Sequence, residues 1–243
     1  MNQTQTPLTL SVVSHGQSAL IRALIKDLSR LALGNIELVI TVNIPEDESP
    51  FRDLPFPTRI IRNATAKGFG ANHNAAFEQS TSTFFAVVNP DIRLPTLDLA
   101  KVLRVMEDAN VGAAAPVVLN GAGLVEDSVR RFPTVLGLAR RVILGQRKPD
   151  YEWDSNPIEV DWVAGMFVVF RRQAYAEVRG FDAERFFMYF EDVDICRRLW
   201  ATGWRVMLQP AVSVVHDAQR ASHRSLKHSR WHLMSAMRYF LRF

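Results

Sequence analysis

The chain has 243 residues, of which 48% are hydrophobic and 22% are charged, and its net charge at pH 7 is +4. This composition predicts a soluble globular protein with one hydrophobic core, most simply a single domain. The single cysteine, Cys196, excludes an intrachain disulfide and favours a reducing compartment.

The first ten residues, MNQTQTPLTL, lack the basic start and the apolar run of a signal peptide. No apolar stretch approaches the roughly 20 residues that a membrane-spanning helix needs. We therefore expect a cytoplasmic chain without a leader or a spanning helix.

The first half of the chain alternates short apolar runs with stretches of helical spacing. In chain order they predict a strand at 8–15, a helix at 17–32, strands at 36–43 and 58–63, a helix at 70–80, a strand at 83–91, a helix at 96–109 and a strand at 111–119. Such alternation is typical of βαβ units. It predicts an α/β fold with a mixed, mainly parallel sheet covered by helices on both faces.

The second half carries fewer regular signals. Residues 120–160 have weak periodicity and are predicted to run as a long excursion over the sheet. The apolar run 160–172 predicts a further central strand, and 203–217 predicts a strand that extends to His216.

Polar residues follow several predicted strands at the point where each strand ends. Ser14 and His15 follow the first strand, Asn43 ends the second, and the segment Asn89 to Asp91 ends the fourth. Ligands of such sheets bind beyond the carboxyl ends of the strands, so we expect these groups to lie near one another.

Asp91 and His216 are candidate metal ligands. A carboxylate at a strand end can hold a divalent cation against a pyrophosphate, because hard cations prefer oxygen ligands. The alternatives are that Asp91 belongs to the turn chemistry of the segment NPD and that His216 is a structural histidine.

The segment RFFMYFEDVDICRRL, residues 185–199, places three acids directly after an aromatic run. On a regular helix Asp192 and Asp194 point about 200° apart, so they cannot serve one site. Asp194 is spaced for a surface ion pair with Arg197 or Arg198. Glu191 and Asp192 are either acids favoured by the helix dipole or a general base at the rim of an active site.

The segment KGFGANHNAAF, residues 67–77, has two glycines and then a predicted helix. Two glycines in this spacing are weak evidence for phosphate binding, and the lysine and hydroxyl residue of a P-loop are absent after the last glycine. Asn72 and Asn74 either hydrogen-bond a base or ribose, or cap the helix.

The C-terminal segment 218–243 has six basic residues and no acid, so the remainder of the chain is net acidic. Taken as a helix, residues 225–243 place Leu226, Leu233, Met237 and Phe240 near one stripe. A basic amphipathic helix of this kind either lies in the plane of a membrane surface or packs its apolar stripe on the rest of the protein.

Taken together, these residues resemble family 2 glycosyltransferases of the GT-A fold. The resemblance runs from Leu8 to about His232. Its marks are SVVSH, GFGANHN, VVNPD, WVAGMFVVFRRQAY, GFDAERFFMYFEDVDICRRL, GWRV and VSVVH. The subgroup it resembles most is the bacterial rhamnosyltransferases of surface-polysaccharide biosynthesis.

The resemblance implies a role for each matching residue. Asp192 matches the catalytic base, with Glu191 beside it, and the aromatic run FFMYF would wall an acceptor pocket. Asp91 and His216 would bind Mg²⁺ or Mn²⁺ with the donor diphosphate. The residues implied in donor binding are Ser14, His15, Asn43, Lys67, Gly68, Asn72, Asn89 and Asp91.

The implied activity is inverting transfer of L-rhamnose from dTDP-rhamnose to a hydroxyl of a saccharide acceptor, which would be lipid-linked. A GT-A domain at 1–217 would divide into a nucleotide-sugar half, 1–95, and an acceptor half, 96–217, followed by the basic segment 218–243. A peripheral position on the inner face of the plasma membrane is a further expectation.

Two other functions stay open. A sugar-nucleotide-binding protein without catalysis is disfavoured by the intact Asp91, Asp192 and His216. A nucleic-acid-binding module is disfavoured because the basic surplus is confined to the C-terminal segment and no nucleic-acid-binding motif is present; we therefore expect no nucleic-acid partner.

Overall fold

The computed structural model describes residues 8–31, 35–137, 149–217 and 226–242, with the side chains of the last segment described from residue 230. The helices are α1 (Ser18–Leu31), α2 (Phe69–Glu78), α3 (Leu99–Val105), α4 (Arg172–Glu177), α5 (Glu191–Ala201) and α6 (Leu226–Phe240). The strands are β1 (Leu8–Ser14), β2 (Ile36–Val42), β3 (Thr58–Arg62), β4 (Phe84–Val88), β5 (Ile92–Arg93), β6 (Val111–Asn120), β7 (Val129–Arg130), β8 (Ile158–Glu159), β9 (Trp162–Val163), β10 (Phe167–Arg171) and β11 (Arg205–His216).

Most strands join one sheet in the order β3-β2-β1-β4-β10-β6-β11-β5, with β8 paired to β11. Strands β3, β2, β1 and β4 are parallel to one another, and β6 is parallel to β11. Strand β10 is antiparallel to both of its neighbours, β4 and β6, and so joins the two parallel groups. The predicted mixed, mainly parallel sheet is confirmed.

The sheet is buried on both faces because its central strands are almost wholly apolar. Along β4, Ala86 and Val88 pack into the core cluster that includes α1 and α3. The alternating residues Phe85 and Val87 pack into the cluster that includes α2, α4 and α5. This alternation follows from the two-residue period of a strand and confirms helices on both faces.

The predicted strand 160–172 is wrong as a single strand. It is divided into β9 and β10 by a turn at Ala164, Gly165 and Met166. The backbone of this turn bonds outside the sheet, since Ala164 N–H donates to the carbonyl of Ser128 and the Met166 carbonyl accepts from Asn89 N–H. The apolar sequence predicts burial here but not this break.

Helix α6 confirms the predicted C-terminal helix, and one of its faces packs on the rest of the protein. Ala236 and Tyr239 are buried in a cluster with Phe186 and Phe190, and Ser235 Oγ donates to the carbonyl of Met188 at 2.9 Å.

The apolar stripe predicted for this helix is divided between two faces. Phe240 packs on the domain, whereas Leu233 and Met237 are 63% and 58% exposed. The side chain of Leu226 lies outside the described residues. In the part of the chain that the structure describes, no helix combines the length and hydrophobicity needed to cross a bilayer.

Asp27 of α1 fastens this helix to β5. It is 1% exposed, and its carboxylate accepts from Arg93 Nε at 2.7 Å, from Arg93 Nη2 at 2.9 Å and from Leu94 N at 3.1 Å. Burial raises the pKa of Asp27, but the hydrogen bonds from Arg93, Leu94 and Arg30 outweigh it and lower the pKa to about 2.

Replacing Asp27 with asparagine is expected to lower the free energy of unfolding at pH 7 by about 2 kcal/mol. Because the folded-state pKa lies below the ordinary value of 3.8, the difference is fully present above about pH 4 and disappears as the pH falls toward about 2. Urea unfolding of both proteins across this range measures it. The exposed Asp53 is the control, and an equal loss in Asp53→Asn would contradict the prediction.

Candidate functional site

A network of side-chain amides lies at the carboxyl ends of β2 and β3. Asn43 Oδ1 accepts from Lys67 N and from Asn63 Nδ2, both at 2.8 Å, and Asn43 Nδ2 donates to the Lys67 carbonyl at 3.0 Å. Asn63 Nδ2 also donates to Asn72 Oδ1 at 2.7 Å, and Asn72 Nδ2 donates to the Lys67 carbonyl at 3.2 Å. The network holds the loop after β3 over the strand ends and leaves the Lys67 side chain exposed.

Sequence reasoning missed Asn63, although Asn63, like Asn43, stands at the end of a predicted strand.

Ser14 and His15 lie beside this network at the end of β1. Ser14 is buried; its Oγ accepts from Gln17 N at 3.2 Å, and its carbonyl accepts from Asn43 N at 2.8 Å. His15 is exposed, with its Nδ1 3.2 Å from Asn43 Nδ2. The fold thus gathers the residues predicted for the nucleotide, while their role in binding it stays a prediction.

Asp91 and His216 meet across 125 residues of sequence. His216 Nε2 lies 3.2 Å from Asp91 Oδ2, and His216 Nδ1 lies 2.8 Å from Glu126 Oε2. The hydrogen bond to Asp91, with a further one to Glu126, raises the pKa of His216 to about 9 against the opposing effect of burial. His216 therefore carries a positive charge at neutral pH between two carboxylates.

Sequence reasoning missed Glu126, which lies in the weakly periodic stretch 120–160. Glu126 and His216 are 90 positions apart, so no local sequence pattern could indicate that they are in contact.

The surroundings of Asp91 fit a divalent cation. Asp91 Oδ1 is buried and accepts no hydrogen bond from any described residue, which leaves one oxygen of the kind that hard cations prefer. Among the described residues no three histidine, cysteine, aspartate or glutamate side chains form a ready cage. Asp91 would therefore supply an oxygen ligand, and His216 would supply a nitrogen ligand once the cation displaces the proton from Nε2, with substrate oxygens completing the coordination shell.

The turn at 164–166 brings the predicted base to the predicted donor residues. Asn89 N donates to the Met166 carbonyl at 2.9 Å, and Gly165 N donates to Asp192 Oδ2 at 3.2 Å. A Cβ added to Gly165 would lie 2.9 Å from Phe69 Cζ and 3.9 Å from Asp192 Cβ. A side chain at this position would have to displace the Phe69 ring, and the turn is in contact with Asn89, Asp192 and Phe69 together.

Glu191 and Asp192 begin helix α5, but they differ in their hydrogen bonds. Asp192 is half-buried; besides Gly165 N, it accepts from Val193 N at 2.9 Å. Glu191 is buried, and its Oε2 accepts no hydrogen bond from the described residues.

The electrostatics of the two acids follow from these contacts. Burial, and then the neighbouring Asp192, raise the pKa of Glu191 well above its ordinary value. Burial also raises the pKa of Asp192, but the N–H groups of Gly165 and Val193 oppose that rise. The negative charge is therefore better held on Asp192, as a general base requires.

Asp194 was predicted to form an ion pair at the protein surface. The ion pair is present, but the predicted surface position is wrong. Asp194 is fully buried because α5 turns this side toward the core. It accepts from Arg198 Nε at 2.7 Å, which confirms one predicted partner, and from Arg242 Nη1, beyond the end of α6, at 3.0 Å. The first turn of α5 is thereby fastened to the C-terminal helix.

The aromatic run before α5 ends in two left-handed residues, Tyr189 at φ 71° and Phe190 at φ 67°. Each such conformation costs about 1–2 kcal/mol for a non-glycine residue, and such strain is often found at functional sites. Here it directly precedes Glu191 and Asp192 and sets where the helix begins.

The aromatic run also touches the glycine-rich loop. Phe69 N donates to the Phe187 carbonyl at 3.0 Å, and a Cβ added to Gly68 would lie 2.4 Å from that carbonyl oxygen. Gly68 thus permits a close backbone contact between the glycine-rich loop and the segment that leads to Asp192.

Comparison with known proteins gives a consistent result. Residues 6–233 match the family model described as "Glycosyltransferase like family 2". Rhamnosyltransferase WbbL of Escherichia coli (strain K12) is 32% identical over 188 residues, covering 72% of this chain and 70% of that protein. The N-acetylglucosaminyl-diphospho-decaprenol L-rhamnosyltransferase of Mycobacterium tuberculosis (strain ATCC 25618 / H37Rv) is 29% identical over 193 residues, covering 73% of this chain and 62% of that protein.

Solved structures agree in fold. The mannosyltransferase PcManGT from Pyrobaculum calidifontis, in complex with GDP-Man and Mn²⁺, has a TM-score of 0.66 at 17% identity, covering 97% of this chain and 65% of that one. S. aureus TarS 1-349, in complex with UDP-GlcNAc, has a TM-score of 0.63 at 13% identity, covering 89% of this chain and 60% of that one.

Proposed function

The chain belongs to the family 2-like glycosyltransferases, and we propose a specific reaction for it. In this reaction L-rhamnose is transferred, with inversion, from dTDP-rhamnose to a hydroxyl of a saccharide acceptor. The observation that carries the proposal is the turn at 164–166, which hydrogen-bonds to the Asn89 backbone through the Met166 carbonyl and to the Asp192 carboxylate through Gly165 N. A donor held at the strand ends would thus lie next to a base.

The sugar and the acceptor are inferred from relatives. Two rhamnosyltransferases near 30% identity support rhamnose as the donor sugar, and the mycobacterial one is named for a lipid-linked acceptor. The chain spans 62% of that mycobacterial relative. We propose an acceptor of the same chemical kind, a sugar diphosphate on a lipid carrier, used in cell-surface polysaccharide biosynthesis.

The donor is bound by residues at the strand ends. Asn43 and Asn72 hydrogen-bond to the backbone of Lys67 and fix the position of its loop. The exposed side chains of Lys67 and His15 therefore face a donor site whose shape is fixed. Asp91 and His216 would hold Mg²⁺ or Mn²⁺, which when bound neutralises charge on the leaving diphosphate. In its absence the positive charge of His216 offsets part of that charge.

Asp192 takes the proton of the acceptor hydroxyl. Inversion needs one base and no covalent intermediate, and that base must be ionised before the reaction. The two N–H groups that face Asp192 favour its ionised form, whereas burial raises the pKa of Glu191 well above its ordinary value and disfavours ionisation there.

The test is release of dTDP from dTDP-rhamnose, measured with and without a synthetic N-acetylglucosaminyl diphosphate bearing a short prenyl chain. Acceptor-dependent release with Mg²⁺ supports the proposal. Thermal shift across a panel of nucleotide sugars identifies the donor independently, since a ligand at 100 times its Kd stabilises the fold by about 2.7 kcal/mol. Donor binding without transfer to any acceptor would favour the sugar-nucleotide-binding protein instead.

We also propose that α6 holds the enzyme at an anionic membrane surface. Leu233, Met237 and Leu241 follow one another at four-residue spacing and are 63%, 58% and 82% exposed, with the exposed Arg230 on the same helix. The opposite face is already packed on the domain. An exposed apolar row beside basic residues suits the interface of a bilayer, where a lipid-linked acceptor resides.

Anionic phosphatidylglycerol vesicles are expected to sediment the full chain at low salt. Replacing Leu233, Met237 and Leu241 together with serine is expected to lower the bound fraction at least tenfold in partition coefficient, since each apolar side chain contributes about 1 kcal/mol or more. Leu124→Ser, a substitution of a 66% exposed leucine on the β6–β7 connection, is the control. If the full chain stays in the supernatant at low salt, this docking is wrong.

A further inference from the structure

Phe187 and Trp231 form an aromatic pair at the surface. Their ring centroids are 5.0 Å apart with an interplanar angle of 42°. Phe187 is 41% exposed, and within the described residues no other phenylalanine, tyrosine or tryptophan is as open to solvent. The neighbouring Phe186 is fully buried and already fills the core at this point, so packing alone does not account for a second phenylalanine facing water.

The pair lies close to both halves of the site. The backbone of Phe187 touches the glycine-rich loop, with its carbonyl 3.0 Å from Phe69 N. Phe69 in turn packs on Gly165, whose N–H binds Asp192. Two residues, Phe69 and Gly165, therefore connect the aromatic pair to the base.

Trp231 comes from helix α6, the helix that carries the exposed apolar row. The pair thus joins three elements: the donor-side loop, the segment before the base and the C-terminal helix. A lipid-linked acceptor that lies at a membrane beside α6 would pass this junction on its way to Asp192.

We propose that Phe187 and Trp231 are the platform for the acceptor sugar, a pyranose ring carried on a diphosphate, and this inference rests on the proposed function. The apolar C–H face of a pyranose packs on an aromatic face, and the pair offers two such rings 5.0 Å apart. Aromatic side chains supply such contact area with few rotatable bonds. Stacking there orients the ring so that one hydroxyl faces the base.

The platform determines acceptor binding and leaves the donor site untouched. Asn43, Asp91 and His216, the residues proposed for the donor, make their hydrogen bonds with each other or with neighbouring residues at the strand ends, and not with Phe187 or Trp231 among the described residues. Loss of a ring is therefore expected to weaken binding of the acceptor but not of the nucleotide. This difference distinguishes a binding role from a general destabilisation of the fold.

The experiment uses isothermal titration of the full chain, in separate runs, with dTDP and with the short-chain N-acetylglucosaminyl diphosphate, together with the turnover assay. Phe187→Ala and Trp231→Ala are each expected to raise the Kd and KM for the acceptor about tenfold. The Kd for dTDP is expected to stay within about twofold. Phe187→Tyr retains the ring and is expected to bind normally, and Leu124→Ala is the matched control for an exposed apolar side chain.

Unchanged acceptor affinity in both alanine variants would overturn the platform, as would failure of the unmodified chain to bind the acceptor probe. Equal weakening of dTDP and acceptor, with a lowered Tm, would show a structural role and overturn it as well. Acceptor binding that depends on both rings, without turnover, would support the platform and count against the proposed function alone.

Discussion

Replacing Asp192 with asparagine is expected to lower kcat by about 10²–10⁴ while the Kd for the donor stays unchanged. Asparagine has nearly the same shape but cannot take the proton of the acceptor hydroxyl. Steady-state kinetics with dTDP-rhamnose and the acceptor probe measure the first effect, and titration with dTDP measures the second. Near-normal turnover in this variant would remove Asp192 as the base.

The adjacent Glu191 is the matched control for Asp192. Burial and the neighbouring Asp192 raise the pKa of the Glu191 carboxyl well above the ordinary value, which disfavours the ionised form that a base needs, so Glu191→Gln is expected to lower kcat much less. A larger loss in Glu191→Gln than in Asp192→Asn would transfer the role to Glu191.

The pH dependence gives an independent check on the same residue. Because burial raises the pKa of Asp192, the acidic limb of kcat against pH is expected to lie above the ordinary aspartate value of 3.8, with activity rising as the base ionises. The limb is expected to disappear in the residual activity of Asp192→Asn.

Replacing Asp91 with alanine is expected to weaken donor binding about 100-fold in Mg²⁺ or Mn²⁺, and far less in EDTA. The reason is that the free Asp91 Oδ1 would hold the cation that offsets the diphosphate charge, an effect worth several kcal/mol. Titration of dTDP-rhamnose with each metal and with EDTA measures both affinities. Equal donor affinity with and without metal in the unmodified chain would contradict a metal at Asp91.

Asp217 is the control for Asp91, because it is exposed at the same end of the sheet and carries the same charge. Its backbone N–H donates to the Asp91 carbonyl, and Asp217→Ala preserves that bond. A metal-dependent loss in Asp217→Ala as large as in Asp91→Ala would indicate a general effect of charge and not coordination.

Much of the candidate site follows from where strands end. Ser14, Asn43 and Asp91 are each recognisable at the end of an apolar run, and parallel strands bring such ends to one edge. Glu126 and Gly165 could not be recognised in this way. Glu126 acts through a contact with His216, and Gly165 is approached by Phe69 and Asp192 from distant parts of the chain.

The amphipathic C-terminal helix shows a second feature that could not be predicted from the sequence, namely which of its faces is buried. Its sequence shows apolar residues and basic residues at helical spacing, but both a buried and an exposed stripe satisfy that pattern. The structure assigns Ala236 and Tyr239 to the packed face and Leu233 and Met237 to the open face. The face of a helix that becomes buried depends on the surface against which it packs, which here is the aromatic run before α5.

The longer strands and helices of the first half, the mainly parallel sheet and the family could all be predicted from the sequence, because hydrophobic period, turn residues and motif order are local properties of each segment. The folded structure was needed to show that Asp194 is buried, that the run 160–172 breaks at Gly165, and that His216 lies between Asp91 and Glu126. Those features arise from contacts between residues far apart in sequence, whose energies depend on burial and on the partners that the folded chain supplies.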